Sequence, residues 1–430
     1  MRVSILGACG RIGLPLSHIV AKAGHLTVGI DPNYSIGKMA QYVSTTFPYV
    51  EKGMSYSEKN SWNESFSQIQ FTYEYASLNT AEVVIVIIGT PVDGENNPRV
   101  ENIIKLFDDV IIPRMKKGQL VILRSTVSPG ITDLLCSKME KERQWKEGED
   151  FHLVFAPERV SQGNSVEEIS KFPQLIGSFS ETSAEKAAWF FETLGVKEFE
   201  YLTPREAEYG KLITNMYRYV NIAFANELYM ITSRDNVDIH KVIESANKNY
   251  PRMNMMLPGP NAAGPCLFKD GKLLTENVPY VDLINAAFNI NEGMPQHVFD
   301  LVKEKSLVPL KSVAIFGMTF KKDNDDIRFS ESYKLKKILK KKGINVVEVD
   351  GHLPNKSWMD QIEELSKIEA IIIMTPHTDL VEDFQTMMDK CNPKNIIIAD
   401  VWKCLPKSLP CLSKNASQTK NGIYHGVNNG

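Results

Sequence analysis

Met1-Arg2-Val3-Ser4-Ile5-Leu6-Gly7-Ala8-Cys9-Gly10-Arg11-Ile12-Gly13-Leu14-Pro15 is the stretch that decides the fold. A short apolar run stops on a glycine turn, and a helical pattern starts near Leu14-Pro15. Glycine in such a turn lets the backbone approach a pyrophosphate, while the helix N-terminus offers unpaired N–H groups and the positive end of its dipole. The next apolar run, Thr27 to Ile30, ends in Asp31, a carboxylate that can accept both ribose hydroxyls and would repel the extra phosphate of NADP. Gly7, Gly10, Arg11, Ile12, Gly13 and Asp31 are therefore expected to bind NAD on a Rossmann-type sheet. A plain structural turn with a surface Asp is the alternative.

Working outward, the α/β pattern continues through Val83 to Ile88, Leu120 to Leu123 and Leu153 to Phe155, which implies a doubly wound parallel sheet with crossover helices. From Pro204 to Arg234 apolar residues recur at helical spacing (Leu212, Met216, Val220, Ala223, Leu228), which predicts one long helix. The Pro/Gly-rich stretch Pro251 to Gly264 marks a loop within an otherwise helical region. A second, smaller doubly wound sheet is expected from Ser312 to Gly317, Asn345 to Val349, Ala370 to Met374 and Ile396 to Ala399. The expected organisation is an NAD-binding Rossmann domain at 1–203, a central helical domain at 204–302, a smaller Rossmann-like domain at 310–412, and a polar, frayed tail at 413–430.

The 430 residues are 43% hydrophobic and 23% charged, with a net charge of −3, so several cores can be buried and no basic footprint for nucleic acid is present. Lysine-dense Lys334 to Lys342 carries Leu335, Ile338 and Leu339 at helical spacing and is expected to be an amphipathic helix. Six scattered cysteines show neither zinc spacing nor a disulfide framework, so no metal is expected. No apolar run is long enough to span a bilayer, and a cytoplasmic protein without membrane partners is expected.

Ligands of parallel sheets bind outside the carboxyl ends of the strands. Those ends are Gly89-Thr90-Pro91, Arg124-Ser125-Thr126-Val127-Ser128-Pro129-Gly130, and Ala156-Pro157-Glu158-Arg159-Val160. On the long helix Lys211, Asn215 and Arg218 share one face. After the loop comes Gly264-Pro265-Cys266-Leu267-Phe268-Lys269-Asp270.

In these motifs, together with Gly10-x-x-Gly13-Leu14-Pro15 and Phe320-Lys321 through Asp325-Asp326-Ile327-Arg328, the chain resembles the UDP-glucose/GDP-mannose dehydrogenase family. The resemblance implies oxidation of the primary alcohol of a nucleotide sugar to a carboxylate, with two NAD⁺ consumed per turnover. It implies Cys266 as the nucleophile that carries thiohemiacetal and thioester, and Glu158 as the base activating water through Thr126. Lys211, Asn215 and Asp270 would surround the reacting oxygen, Lys211 as an oxyanion donor. Thr90, Pro91, Thr126 and Lys269 would stand on the cofactor side, with Lys269 lowering the thiol pKa. Glu158, Arg159, Val160, Lys211, Asn215, Arg218, Gly264, Phe320, Lys321 and Arg328 would contact the substrate. A homodimer through the central helix is implied as well.

The chain departs from the family pattern at named places. The first glycine of the fingerprint falls on Ala8, with Gly7 one position early, so pyrophosphate geometry is in question. Phe268 stands where the family has Pro, and the glycine-rich approach to the cysteine is Pro260-Asn261-Ala262-Ala263, which bears on loop rigidity. Gln162 and Asp400-Val401-Trp402-Lys403 replace a Glu and an Arg typical of UDP-glucose members. These features, with Arg159 and Arg218, resemble the branch acting on UDP-N-acetylhexosamines such as UDP-N-acetylmannosamine; UDP-glucose and GDP-mannose are the alternatives. Two readings of other kinds remain: a single-hydride β-hydroxyacid dehydrogenase, which needs neither Cys266 nor a second sheet, and a non-catalytic dinucleotide-binding regulator.

Overall fold

The computed structural model describes residues 1–32, 48–52, 67–90, 93, 99–235, 237–264, 267–276, 278, 280–393, 396–406, 417–418 and 422–427. It divides into two compact units, one of Met1–Thr214 with Lys269–Asn277, the other of Asn215–Phe268 with Val278–Gly430.

In the first unit eight strands form one sheet: β1 Arg2–Leu6, β2 Leu26–Ile30, β3 Ile69–Thr72, β4 Val83–Val86, β5 Leu120–Leu123, β6 His152–Phe155, β7 Gln174–Ser178 and β8 Phe199–Leu202, in the order β3-β2-β1-β4-β5-β6-β7-β8. All neighbours are parallel except β6 and β7, so the expected all-parallel sheet is corrected: Val154 opposes Ser178 in an antiparallel register, and β8 then runs parallel to β7. Strands β4, β5 and β6 are buried along their whole length, as a sheet covered on both faces requires. The order reverses at β1 and β4, which is where a ligand crevice belongs.

The long helix spans Pro204–Arg234, with the bounds expected from sequence. A reciprocal cap fixes its start. The Glu206 carboxylate accepts the Thr203 N–H at 2.8 Å, Thr203 Oγ1 accepts the Glu206 N–H at 3.3 Å, and Pro204 sits at the first position, where no donor is needed. One turn on, buried Glu208 accepts the N–H groups of Gly130 (2.6 Å) and Thr132 (2.8 Å), tying the Ser125 to Gly130 segment to this helix.

The second unit holds a six-stranded sheet of β9 Ser312–Phe316, β10 Asn345–Val349, β11 Ala370–Ile373, β12 Ile396–Ala399, β13 Ser417–Gln418 and β14 Ile423–Val427, ordered β10-β9-β11-β12-β14-β13. Its first four strands are the ones expected. The tail is not simply frayed: β14 pairs antiparallel with β12, through Ile398 and Tyr424, and Ile423 and Tyr424 are buried. The lysine-dense segment forms the amphipathic helix Glu331–Lys341, with Leu335 and Leu339 inward. No helix among the described residues is long and apolar enough to cross a membrane.

Candidate active site

Gly7 ends β1 with φ +90°, and a Cβ there would lie 2.7 Å from the Ile87 carbonyl oxygen. The left-handed turn that only glycine tolerates thus falls on Gly7, and Ala8 needs no such freedom. The Ala8 methyl has its own compensation: Gly29 on β2 lacks a Cβ that would sit 2.9 Å from it. Gly13 is the tightest point, since a Cβ would come within 2.0 Å of Gly7 O. Asp31, buried at the end of β2, accepts the Cys9 N–H at 3.3 Å. Arg11 lies over the Tyr49 ring at 5.0 Å, and Tyr49 donates to Gly10 O at 3.2 Å. Ile12 immediately precedes the helix Gly13–Lys22. These Cβ-free positions before a helix N-terminus, with a carboxylate on the next strand, fit the pyrophosphate and ribose of NAD. Cys9 is buried, and burial, with Asp31 second, pushes its thiol up to about 12.

Lys211 Nζ donates to Glu158 Oε1 at 3.0 Å, with both side chains largely buried. Glu158 Oε2 also accepts the Val160 N–H at 3.1 Å, which closes the turn after β6. Arg159 bends away to donate to Pro173 O. Thr126 is half-buried after β5, and Asp270 is buried on the helix Leu267–Thr275. Lys269, on that helix, donates to buried Thr90 Oγ1 at 2.7 Å, so two residues expected on the cofactor side meet. Pro91 and Cys266 lie outside the described residues.

Sequence reasoning did not single out Arg124 and Gln174. Arg124 is buried at the end of β5, over the Phe191 ring at 5.1 Å, and donates to Gln174 Oε1 at 3.2 Å. Gln174 Nε2 in turn donates to Pro157 O at 3.0 Å, so a buried cation supports the Pro157-Glu158 turn. Burial lowers the Arg124 pKa to about 10 against the opposing pull of Glu158. A charged residue closing a wholly apolar strand, Leu120 to Leu123, was the available signal.

In the second unit Asn215 is buried and Arg218 exposed on the long helix. Gly264 has φ +113°, and a Cβ there would lie 2.7 Å from the Phe320 ring. Half-buried Lys321 follows, and its carbonyl accepts the Thr319 hydroxyl at 3.1 Å. Arg328 lies half in solvent, gripped by buried Asp326 through Nε at 3.0 Å and Nη2 at 2.7 Å. Asp323, His352, His377 and Asp379 bring ligand-type atoms within 4.8 Å of one another. His377 Nδ1 already accepts the Asp323 N–H at 2.9 Å, and the Asp323 carboxylate caps Thr378 at 2.7 Å, so these groups hold loop to helix.

Comparison with known proteins agrees along the whole chain. Residues 1–195 match the NAD binding domain of the UDP-glucose/GDP-mannose dehydrogenase family, 205–293 its central domain and 314–407 its UDP binding domain. A UDP-N-acetyl-D-mannosamine dehydrogenase of Methanocaldococcus jannaschii is 30% identical over 417 residues, covering 95% of this chain and 93% of that protein. The solved UDP-D-ManNAc dehydrogenase from Pyrococcus horikoshii superposes with a TM-score of 0.85 at 27% identity, over 98% of this chain and 100% of that one. The UDP-N-acetyl-mannosamine dehydrogenase of Staphylococcus aureus gives 0.80 at 29% identity, over 95% and 96%. The chain belongs to the UDP-glucose/GDP-mannose dehydrogenase family and is an NAD-dependent oxidoreductase of nucleotide sugars.

Proposed function

We propose that this chain is a UDP-N-acetylhexosamine 6-dehydrogenase, with UDP-N-acetylmannosamine as its substrate, and that it carries the sugar on Cys266. The observation that carries the chemistry is the largely buried Lys211–Glu158 pair at the carboxyl end of β6. The similarity to UDP-N-acetyl-D-mannosamine dehydrogenases over 95% of the chain supports the choice of sugar.

NAD⁺ supplies the hydride acceptor, twice in succession, and Gly7, Gly10, Arg11, Ile12, Gly13, Asp31, Thr90, Pro91 and Lys269 are the residues assigned to holding it. The alcohol proton leaves toward the Lys211–Glu158 pair during the first oxidation. The Cys266 thiolate then adds to the aldehyde, and the thiohemiacetal, once oxidised, is a thioester. Glu158, with Thr126, takes the proton of the water that opens it and releases the carboxylate and the thiol. Lys211, Asn215 and Asp270 offer charge and hydrogen bonds to the oxygen on which negative charge develops. Arg159, Val160, Arg218, Gly264, Phe320, Lys321 and Arg328 are assigned to the nucleotide sugar, the guanidinium forks suiting phosphate or acetamide oxygens.

Residues 1–203, 204–302 and 310–412 serve as the NAD-binding, helical and UDP-binding parts. We also assign a homodimer through the long helix, on which Ile213, Tyr217, Phe224 and Ile231 are each more than half exposed.

The test follows NADH formation with UDP-N-acetylmannosamine, UDP-N-acetylglucosamine, UDP-glucose and GDP-mannose, in wild type and Cys266→Ser. Two NADH per molecule of UDP-N-acetylmannosamine and a loss of about 10³-fold or more in kcat for the variant are expected. One NADH per sugar, or turnover indifferent to Cys266, would return the single-hydride dehydrogenase. Preference for another sugar would reassign the substrate and keep the chemistry.

A further inference from the structure

The second sheet reverses direction at β9 and β11, and the crevice outside the carboxyl ends of those strands is where an open sheet takes a ligand. Here a side chain of the chain itself stands in it. Asn261, on the loop that leads to Gly264 and Cys266, is buried. Its Nδ2 reaches Thr319 O after β9 at 3.0 Å, Thr375 Oγ1 after β11 at 2.8 Å and Ser330 Oγ at 3.3 Å. Its Oδ1 accepts the N–H of Glu331, the first residue of the helix Glu331–Lys341, at 2.9 Å. A carbonyl on one side and an N–H on the other fix which way the amide faces, and a carboxylate could not satisfy both.

The loop is held at two further points. Gly259 lies under the Trp402 indole, where a Cβ would come within 2.1 Å, and its N–H donates to Asn226 Oδ1 at 2.9 Å. Trp402 Nε1 donates to Met374 O at 2.9 Å, again at the end of β11. Gly264 lies under Phe320. This loop is the stretch where Pro260-Asn261-Ala262-Ala263 departs from a glycine-rich pattern, and Asn261 is the one of these that makes the side-chain hydrogen bonds.

We propose that Asn261 is a positioning residue that plugs the crevice between β9 and β11 and thereby presets Gly259 to Gly264, the stretch that leads toward Cys266, against the Thr319 to Lys321 segment. This rests on the reading of Cys266 as the nucleophile. With that stretch preset, the approach to the nucleophile does not wait for the nucleotide. Without the peg, nucleotide contacts at Phe320 and Lys321 must order the loop on each turnover, and a displaced nucleophile lowers the rate more than the affinity.

The experiment compares wild type, Asn261→Ala and Thr375→Val, which keeps shape and removes one of the Asn261 hydrogen bonds together with the bond that the Thr375 hydroxyl donates to Thr319 O. It reads kcat and KM separately, and it reads alkylation of the Cys266-bearing peptide by iodoacetamide, with and without UDP, by mass spectrometry. In wild type the alkylation rate should change less than about twofold with UDP. In Asn261→Ala, kcat should fall about tenfold with KM nearly unchanged, and alkylation should become UDP-dependent; Thr375→Val should show the same pattern in smaller measure, and carries the test if the first variant does not fold. Lowered thermal stability with kcat and alkylation unchanged, or a change in KM alone, overturns the proposal. Full turnover in Cys266→Ser would instead defeat the nucleophile reading on which it rests.

Discussion

The two sheets start from the same backbone device and finish it with different side chains. β1 ends on Gly7 with φ +90°, its N–H given to Ile30 O at 2.9 Å; β9 ends on Gly317 with φ +80°, its N–H given to Val349 O at 2.8 Å. In each, the neighbouring strand ends in an aspartate that receives N–H groups of the post-glycine turn: Asp31 from Cys9, Asp350 from Met318 at 2.6 Å and Thr319 at 3.1 Å. The difference begins at the helix. Where the first sheet has Gly13 against Gly7 O, the second has Ser332, whose hydroxyl donates to Gly317 O at 2.7 Å. Asp350 is fully buried against His377 Nε2 at 3.2 Å, and Asn261 stands in the crevice. One topology therefore yields a cradle kept clear by glycine and a joint filled with hydrogen bonds, and side-chain choice at a few turn positions decides which.

The largest effect that could break this comparison is expected for Gly13→Ala. The added methyl would sit 2.0 Å from a backbone oxygen, which neither a rotamer change nor a flexible neighbour can relieve. A loss of about 3 kcal/mol or more is expected, with NADH binding lost in whatever protein folds. Urea midpoints and NADH fluorescence titration check it; a variant within about 1 kcal/mol of wild type that still binds NADH would show that the first crevice is not shaped by this contact.

A smaller effect, with a defined pH dependence, is expected for Asp350→Asn. Burial works to raise the pKa of Asp350, but the His377 partner and the N–H groups of His352 and Met318 outweigh it and hold the group below its ordinary 3.8. For a carboxylate with a depressed folded pKa, the stabilisation is complete above the unfolded value and is lost as the pH falls through the folded one. The variant should therefore be less stable than wild type by about 2 kcal/mol at neutral pH, and the gap should narrow as the pH drops below about 4. Thermal melts across that range check the sign; a gap that widens in acid would mean that Asp350 is not the charged centre of the joint.

What the sequence disclosed follows from how far apart the cooperating residues lie. The long helix was legible because its apolar spacing, interrupted by no glycine or proline after Gly210, is a local signal. Gly7, Gly13 and Asp31 were legible because their meaning depends on a strand, a turn and a helix in immediate succession. Strands β3, β7 and β8 were missed: Phe199–Leu202 has no fully buried residue, and Gln174–Ser178 starts with a glutamine whose role is to hold Pro157. β14 was hidden in a polar tail because its pairing with β12 supplies what composition does not. Arg124 and Gln174 are 50 residues apart, and Asn261 and Thr375 are 114 apart, so neither contact leaves a spacing signal. The Asn261 substitution was visible as a departure from the glycine-rich pattern, but its partners could be named only once β9 and β11 were adjacent.

The smallest effect sharpens the comparison most, because it exchanges one sheet's solution for the other's. Ser332 is buried, and its hydroxyl gives Gly317 O a donor in place of the close methylene contact that Gly13 makes possible in the first sheet. Ser332→Ala removes that donor and leaves a buried carbonyl short of a partner, at about 1 kcal/mol. Ser332→Gly, the first sheet's residue, should cost about 1 kcal/mol more through helix propensity alone. Turnover should be unchanged in both, since the hydroxyl serves the joint and not a ligand, and urea midpoints resolve differences of this size. If instead Ser332→Ala lost as much stability as Gly13→Ala, a single hydrogen bond would be outweighing a steric overlap with backbone, and the glycine of the first sheet would have to be explained by the ligand it admits and not by packing.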